Sequence, residues 1–131
     1  MGDARIPVHI VMGAPGSGKS ALIARLCGLR SDWLGLVGGP PAVSIPNLRT
    51  LAPGCPCCTA RIALQVGLVR ALRETRASRA FVEIPGPEHL RSLEKVLGEL
   101  PLGMSVAAAR RLQLPADANL RIEDLESRRT R

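Results

Sequence analysis

Aromatic residues are nearly missing from this chain: tyrosine does not occur, and Trp33 and Phe81 stand alone among 131 residues. A core must therefore be aliphatic, and the ring platforms on which single-stranded nucleic acid stacks are absent. Lysine is almost as scarce, with Lys19 and Lys95 set against arginines scattered from Arg5 to Arg131. The formal net charge of +7 thus has no long cluster behind it, and without a groove-reading motif no specific nucleic-acid partner is expected. Long apolar runs are also lacking. Ile6 to Met12 is far too short for a secretory or membrane segment, so no membrane partner and a cytoplasmic location are expected. Cysteines spread out to close loops are missing too, which excludes a disulfide framework. What remains is the composition of an ordinary folded domain, 46% hydrophobic and 22% charged, of a length that supports one core.

Val8 to Met12 reads as a short buried strand that runs into a glycine-rich turn, and Lys19 to Leu29 has helical spacing, with Leu22, Ile23 and Leu26 on the apolar side. Residues 31 to 53 are broken by Gly38-Gly39-Pro40-Pro41, Pro46 and Pro53 around short apolar pieces, Leu34 to Val37 and Ala42 to Ile45, which predicts loop with one or two short strands. From Thr59 to about Arg76 the set Ile62, Val66, Val69 and Leu72 marks an amphipathic helix. A strand over Ala80 to Ile84, a helix from Glu88 to about Leu100 and a strand over Met104 to Ala109 follow. Alternating strands and helices predict an α/β fold, a mostly parallel sheet flanked by helices. Residues 1–112 are expected to form this domain and residues 113–131 a polar C-terminal tail.

Three motifs carry chemistry. Gly13-Ala14-Pro15-Gly16-Ser17-Gly18-Lys19-Ser20 matches G-x-x-x-x-G-K-[ST] in full, between a strand and a helix. Glycines let successive main-chain N–H groups turn inward around phosphate oxygens, and the helix adds its positive dipole end. In this P-loop reading Gly13, Gly16, Ser17, Gly18, Lys19 and Ser20 hold a nucleoside triphosphate; Lys19 reaches its outer phosphates and Ser20 ligates Mg²⁺. The second motif is Glu83-Ile84-Pro85-Gly86. A carboxylate at this strand end would hold Mg²⁺ through water, and the Gly86 amide would approach the γ-phosphate. The third is Cys55-Pro56-Cys57-Cys58, where close thiols suit one soft or borderline cation such as Zn²⁺ or Cu(I), with redox chemistry and simple packing as alternatives. His89 is a candidate fourth ligand or a helix-start residue. His9 is expected to be a buried hydrogen-bonded residue, Cys27 to pack inside its helix, and Trp33 and Met12 to serve as core or loop cover.

A P-loop, a Gly54-Cys55-Pro56-Cys57-Cys58-Thr59 turn, a helix and then Val82-Glu83-Ile84-Pro85-Gly86-Pro87-Glu88-His89, in that order over residues 7 to 112, resemble the CobW-like metallochaperone GTPases, relatives of the nickel-handling HypB and UreG proteins. The resemblance implies GTP binding with slow hydrolysis coupled to delivery of a metal to a client metalloprotein. It places Lys19 and Ser20 at phosphate and Mg²⁺, Glu83 in the Walker B role as a catalytic carboxylate with Lys19, and Cys55, Cys57 and Cys58 at the metal, with zinc the favoured ion. The chain differs from that family in several ways. It has no N-K-x-D guanine motif, Lys95 being followed by Val96, Leu97 and Gly98. It places Ile84-Pro85 where the family has hydroxyl residues, and Asp32 is the sole carboxylate between Lys19 and Glu74. No counterpart of the family's later strands or C-terminal domain is present, which leaves an open sheet edge at the Met104 strand and an expectation of a homodimer or another partner there. Two other readings remain open: a nucleotide- or metal-binding remnant that does not hydrolyse, and a small ATP-dependent kinase.

Overall fold

An extended chain sends successive side chains to opposite faces, and along β1 (Ile6–Met12) Val8 and Ile10 enter one apolar cluster while Val11 enters another. Both faces are covered, as a parallel sheet requires. The computed structural model of the chain describes residues 5–14, 16–51, 61–84, 86–100 and 104–126. After β1 come α1 (Lys19–Leu29), β2 (Trp33–Val37), β3 (Leu48–Thr50), α2 (Arg61–Thr75) and β4 (Arg79–Glu83). A single 3₁₀ turn (Pro87–His89) then opens α3 (Leu90–Leu97), followed by β5 (Val106–Ala108), β6 (Leu112–Gln113) and α4 (Ile122–Glu126). The sheet runs β3-β2-β4-β1-β5, with β6 also on β1, and the pairings are parallel. The architecture is α/β with flanking helices, as expected from the sequence, and is compatible with a P-loop NTPase fold.

On one face α2 and α3 lay Leu64, Leu68, Leu72, Leu93 and Val96 over Val8, Ile10, Leu36 and Val82. On the other, α1 and α4 place Leu22, Ile23, Leu26 and Leu125 against Val11, Trp33, Val37 and Phe81. Gly35 is where α1 comes closest: a Cβ there would lie 2.5 Å from Ile23 Cγ2 and 2.9 Å from Cys27 Sγ. Asn47 locks the same contact. Its side-chain amide donates to the carbonyl oxygens of Cys27 (2.8 Å), Trp33 (2.8 Å) and Arg30 (3.2 Å), and the main-chain carbonyl of Asn47 accepts from Gly35 N. One buried amide thus serves a carbonyl in the last turn of α1 and the carbonyl just after it, and joins them to β2.

Four details depart from the sequence reading. Val69 and Leu72 of α2 are buried as expected, but Ile62 (72% exposed) and Val66 (45%) point to solvent, and Leu64, Leu68 and Ala71 are buried in their place. Ala42 to Ile45 is not extended, and the second short strand forms at Leu48–Thr50, where Asn47 anchors it. α3 stops at Leu97, short of Leu100, its first turn replaced by the 3₁₀ turn. The segment after Leu112 is not purely polar cover, since Leu114, Leu120 and Leu125 are buried in the α1 face of the core. Among the described residues no helix is long and apolar enough to cross a membrane.

Candidate phosphate and cation site

The site follows from strand register. Val11 of β1 is paired with Glu83 of β4, so the turn leaving β1 and the carboxylate ending β4 emerge side by side at the carboxyl edge of the sheet. Here the strand order also reverses direction: α1, following β1, covers one face, and α3, following β4, covers the other. Such a switch point is where open α/β sheets bind ligands.

Within the turn Gly13, Gly16 and Gly18 have φ of 156°, 80° and 98°, conformations that L side chains rarely adopt. At Gly13 space is closed as well, because a Cβ would lie 2.4 Å from Ser17 Oγ and 2.9 Å from Leu114 Cβ. Gly18 leads directly into α1, whose Leu22 N donates to Gly18 O at 2.9 Å. Lys19 is buried, and its ammonium folds back to donate to Gly13 O at 2.6 Å. Ser17 Oγ is the one buried side-chain oxygen among the described residues without a hydrogen-bond partner. Glycine amides, a buried ammonium and an orphaned hydroxyl at a helix start have the chemistry of an oxyanion cradle.

Ser20 Oγ donates to Glu83 Oε1 at 2.7 Å. Two residues 63 positions apart are thereby brought together as the motif reading expected. A hydroxyl and a carboxylate side by side are hard oxygen donors of the kind that Mg²⁺ takes, next to a place for phosphate. The same Glu83 oxygen accepts a third group that sequence reasoning missed, the main-chain N–H of Gly38, at 3.1 Å. The signal available was a glycine pair closing a strand whose five residues are all buried.

Gly86 is buried and extended, with φ of −167°, which any residue adopts. The room a side chain would take is occupied by the Glu88 carboxylate, 2.6 Å from an ideal Cβ, and Gly86 O accepts from His89 N at 3.1 Å. His89 Nε2 stands 3.6 Å from Glu88 Oε2. Cys55, Cys57 and Cys58 lie outside the described residues. Among those described, no group of three His, Cys, Asp or Glu side chains could hold a metal ion.

Asp32 is far from this edge. It begins the turn into β2 at the opposite end of the sheet, paired with Arg30 at 3.1 Å and accepting from Ser78 Oγ at 2.6 Å. The Ser78 hydroxyl first, and then Arg30, hold its carboxyl below the usual range. His9 is buried as expected. It stacks on Phe81 with ring centroids 5.0 Å apart, its Nδ1 lies 2.7 Å from Arg110 O and its Nε2 lies 2.8 Å from Arg79 Nη1. Arg79 has only protons to give, so Nε2 must accept and Nδ1–H must donate to the carbonyl: His9 is held as one neutral tautomer. Burial, the largest cause, pushes its pKa down to about 4, with Arg79 and Arg110 adding to the effect against the Arg110 carbonyl.

No family model matches this chain, and no solved structure matches it. Two relatives do. A Mus musculus protein named Immunity-related GTPase family Q protein is 49% identical over 45 residues, 34% of this chain and 8% of that protein. The Homo sapiens protein of the same name is 34% identical over 122 residues, 90% of this chain and 18% of that protein. The chain therefore spans less than a fifth of the length of these relatives. Its similarity is to proteins named as GTPases, neither of which carries the name of the CobW-like family.

Proposed function

We propose that this chain is a nucleoside-triphosphate-binding domain that takes Mg²⁺·GTP at the carboxyl edge of β1 and β4. The observation that carries the reading is the hydrogen bond between Ser20 and Glu83 beside a complete P-loop. Gly13 to Gly18 would wrap the phosphates with main-chain amides, Lys19 would leave the Gly13 carbonyl for the outer phosphates, and Ser20 and Glu83 would hold the cation. Mg²⁺, when bound, neutralises charge on the phosphate oxygens. The preference for guanine rests on the names of the two relatives, since no N-K-x-D motif is present. Turnover is proposed to be slow, because Glu83 is engaged in holding Ser20 and Gly38 and so is placed to hold a cation rather than to activate water.

A finer part of the proposal is that Cys55, Cys57 and Cys58 bind Zn²⁺ and that α2, which follows them in sequence and leads to β4, couples the two sites. It rests on the sequence motif and on this connectivity alone.

Titration with a fluorescent GTP analogue, with Mg²⁺ or with chelator, then competition by GTP and ATP, tests the first part. Saturable binding strengthened by Mg²⁺ and displaced by GTP more readily than by ATP is expected. Equal displacement by ATP would remove the guanine preference, and no binding at millimolar nucleotide would remove the reading. Zn²⁺ affinity unchanged by Cys57→Ser with Cys58→Ser would remove the finer part.

A further inference from the structure

The turn leaving β2 is built more firmly than a Gly-Gly-Pro-Pro loop suggests. Val37 O accepts from Leu51 N at 2.7 Å, and Gly39 O accepts from Thr50 Oγ1 at 3.0 Å. Both partners belong to β3 or its end, so Gly38 sits between two fixed points. Its N–H then meets Glu83 Oε1 at 3.1 Å, on the same oxygen that takes the Ser20 hydroxyl at 2.7 Å. An ideal Cβ on Gly38 would stand 3.6 Å from Glu83 Oε2 and 3.7 Å from its Cδ. There is therefore room for a methyl group at Gly38 beside the carboxylate.

From this geometry we infer that Gly38 is a positioning residue: its main-chain amide, fixed by β3, orients the Glu83 carboxylate toward Ser20. The inference rests on the reading of Ser20 and Glu83 as the cation-holding pair. A Glu side chain has three rotatable bonds, and a strand end leaves it free to swing into water. One charge-assisted hydrogen bond from a rigid donor removes much of that freedom before any ligand arrives. Glu83 in turn ties the β2–β3 connection to the P-loop helix, so this connection belongs to the wall of the site although it carries no motif.

Two substitutions separate the N–H from the backbone shape. Gly38→Ala keeps the donor and meets only ordinary contacts, whereas Gly38→Pro removes the donor. The gain in fluorescent GTP-analogue affinity on adding Mg²⁺ is the readout. It should fall about tenfold in Gly38→Pro, the worth of a hydrogen bond to a charged acceptor, with affinity in chelator unchanged, and should persist in Gly38→Ala. A full Mg²⁺ gain in folded Gly38→Pro would overturn the inference, and so would an equal loss with and without Mg²⁺.

A nucleotide-free measurement covers the case in which the proline variant fails to fold or the wild type binds no nucleotide. Amide hydrogen exchange at Gly38 should quicken several-fold in Glu83→Ala and stay slow in Glu83→Gln, which keeps an acceptor oxygen. Equal Gly38 exchange in wild type and Glu83→Ala would sink the positioning role. Failure of nucleotide binding with this exchange pattern intact would instead sink the proposed function.

Discussion

At the scale of single residues the clearest consequences come from groups that burial has stripped of water. His9 is neutral when folded, with a pKa of about 4 against an ordinary 6.5, so the unfolded chain binds the proton more readily. Its contribution to stability is therefore complete above pH 6.5 and is lost as pH falls from there toward 4, by about 3 kcal/mol in all. Urea denaturation across that range should show the decline, and His9→Gln should flatten it; an equal decline in the variant would contradict the assignment. Cys27 is the second such group, its thiol pushed up to about 12 by burial against the α1 face. Thiolate is the reactive form. In a Cys55→Ser, Cys57→Ser, Cys58→Ser variant the remaining thiol should react with an aromatic disulfide reagent at pH 8 only at the rate of unfolding. Rapid labelling of the folded variant would refute this.

At the scale of elements, Asn47 does for α1 what a C-terminal cap does elsewhere, with one amide serving three carbonyls. Asn47→Ala removes the amide's bonds to the Cys27 and Trp33 carbonyls at a cost of about 2 kcal/mol, whereas the Arg30 carbonyl keeps Trp33 N as its donor. Thermal unfolding should show a midpoint several degrees lower, and an unchanged midpoint would mean that water replaces the amide at no cost. The sequence marked α1 and β1 correctly because Gly13 to Gly18 separates a short apolar run from a helical period. It misled at α2, where Ile62, Leu64, Val66, Leu68, Val69 and Leu72 lie so far around the helix that more than one apolar stripe fits the period. Which stripe is buried is decided by the sheet beneath, through Leu36 and Val82. The strand expected over Met104 to Ala109 is shorter, Val106–Ala108, and a further strand at Leu112–Gln113 was not foreseen. β5 follows Ile6 to Val8, β6 follows Val11 and Met12, and between them the Arg110 carbonyl turns to meet His9. A side-chain hydrogen bond across 101 positions leaves no local trace.

For the molecule as a whole, the order β3-β2-β4-β1-β5 matters because it places β4 beside β1. That neighbourhood brings Glu83 beside the turn that leads to Ser20, and it was legible from the alternation of strands and helices with the P-loop at its head. Gly38 was not legible, since its role depends on β3 holding the turn from the far side. The cysteine motif is plain in the sequence, and Cys55, Cys57 and Cys58 lie outside the described residues. The central claim is that the turn from Gly13 to Gly18, with Lys19 and Ser20, holds a Mg²⁺-bound triphosphate. Calorimetric titration of Mg²⁺·GTP into wild type and Lys19→Ala tests it most directly. The account predicts one site per chain in the wild type and a loss of at least tenfold in affinity in the variant, both proteins remaining folded. A wild type that releases no heat of binding at millimolar nucleotide, or a variant that binds as tightly as the wild type, would contradict it.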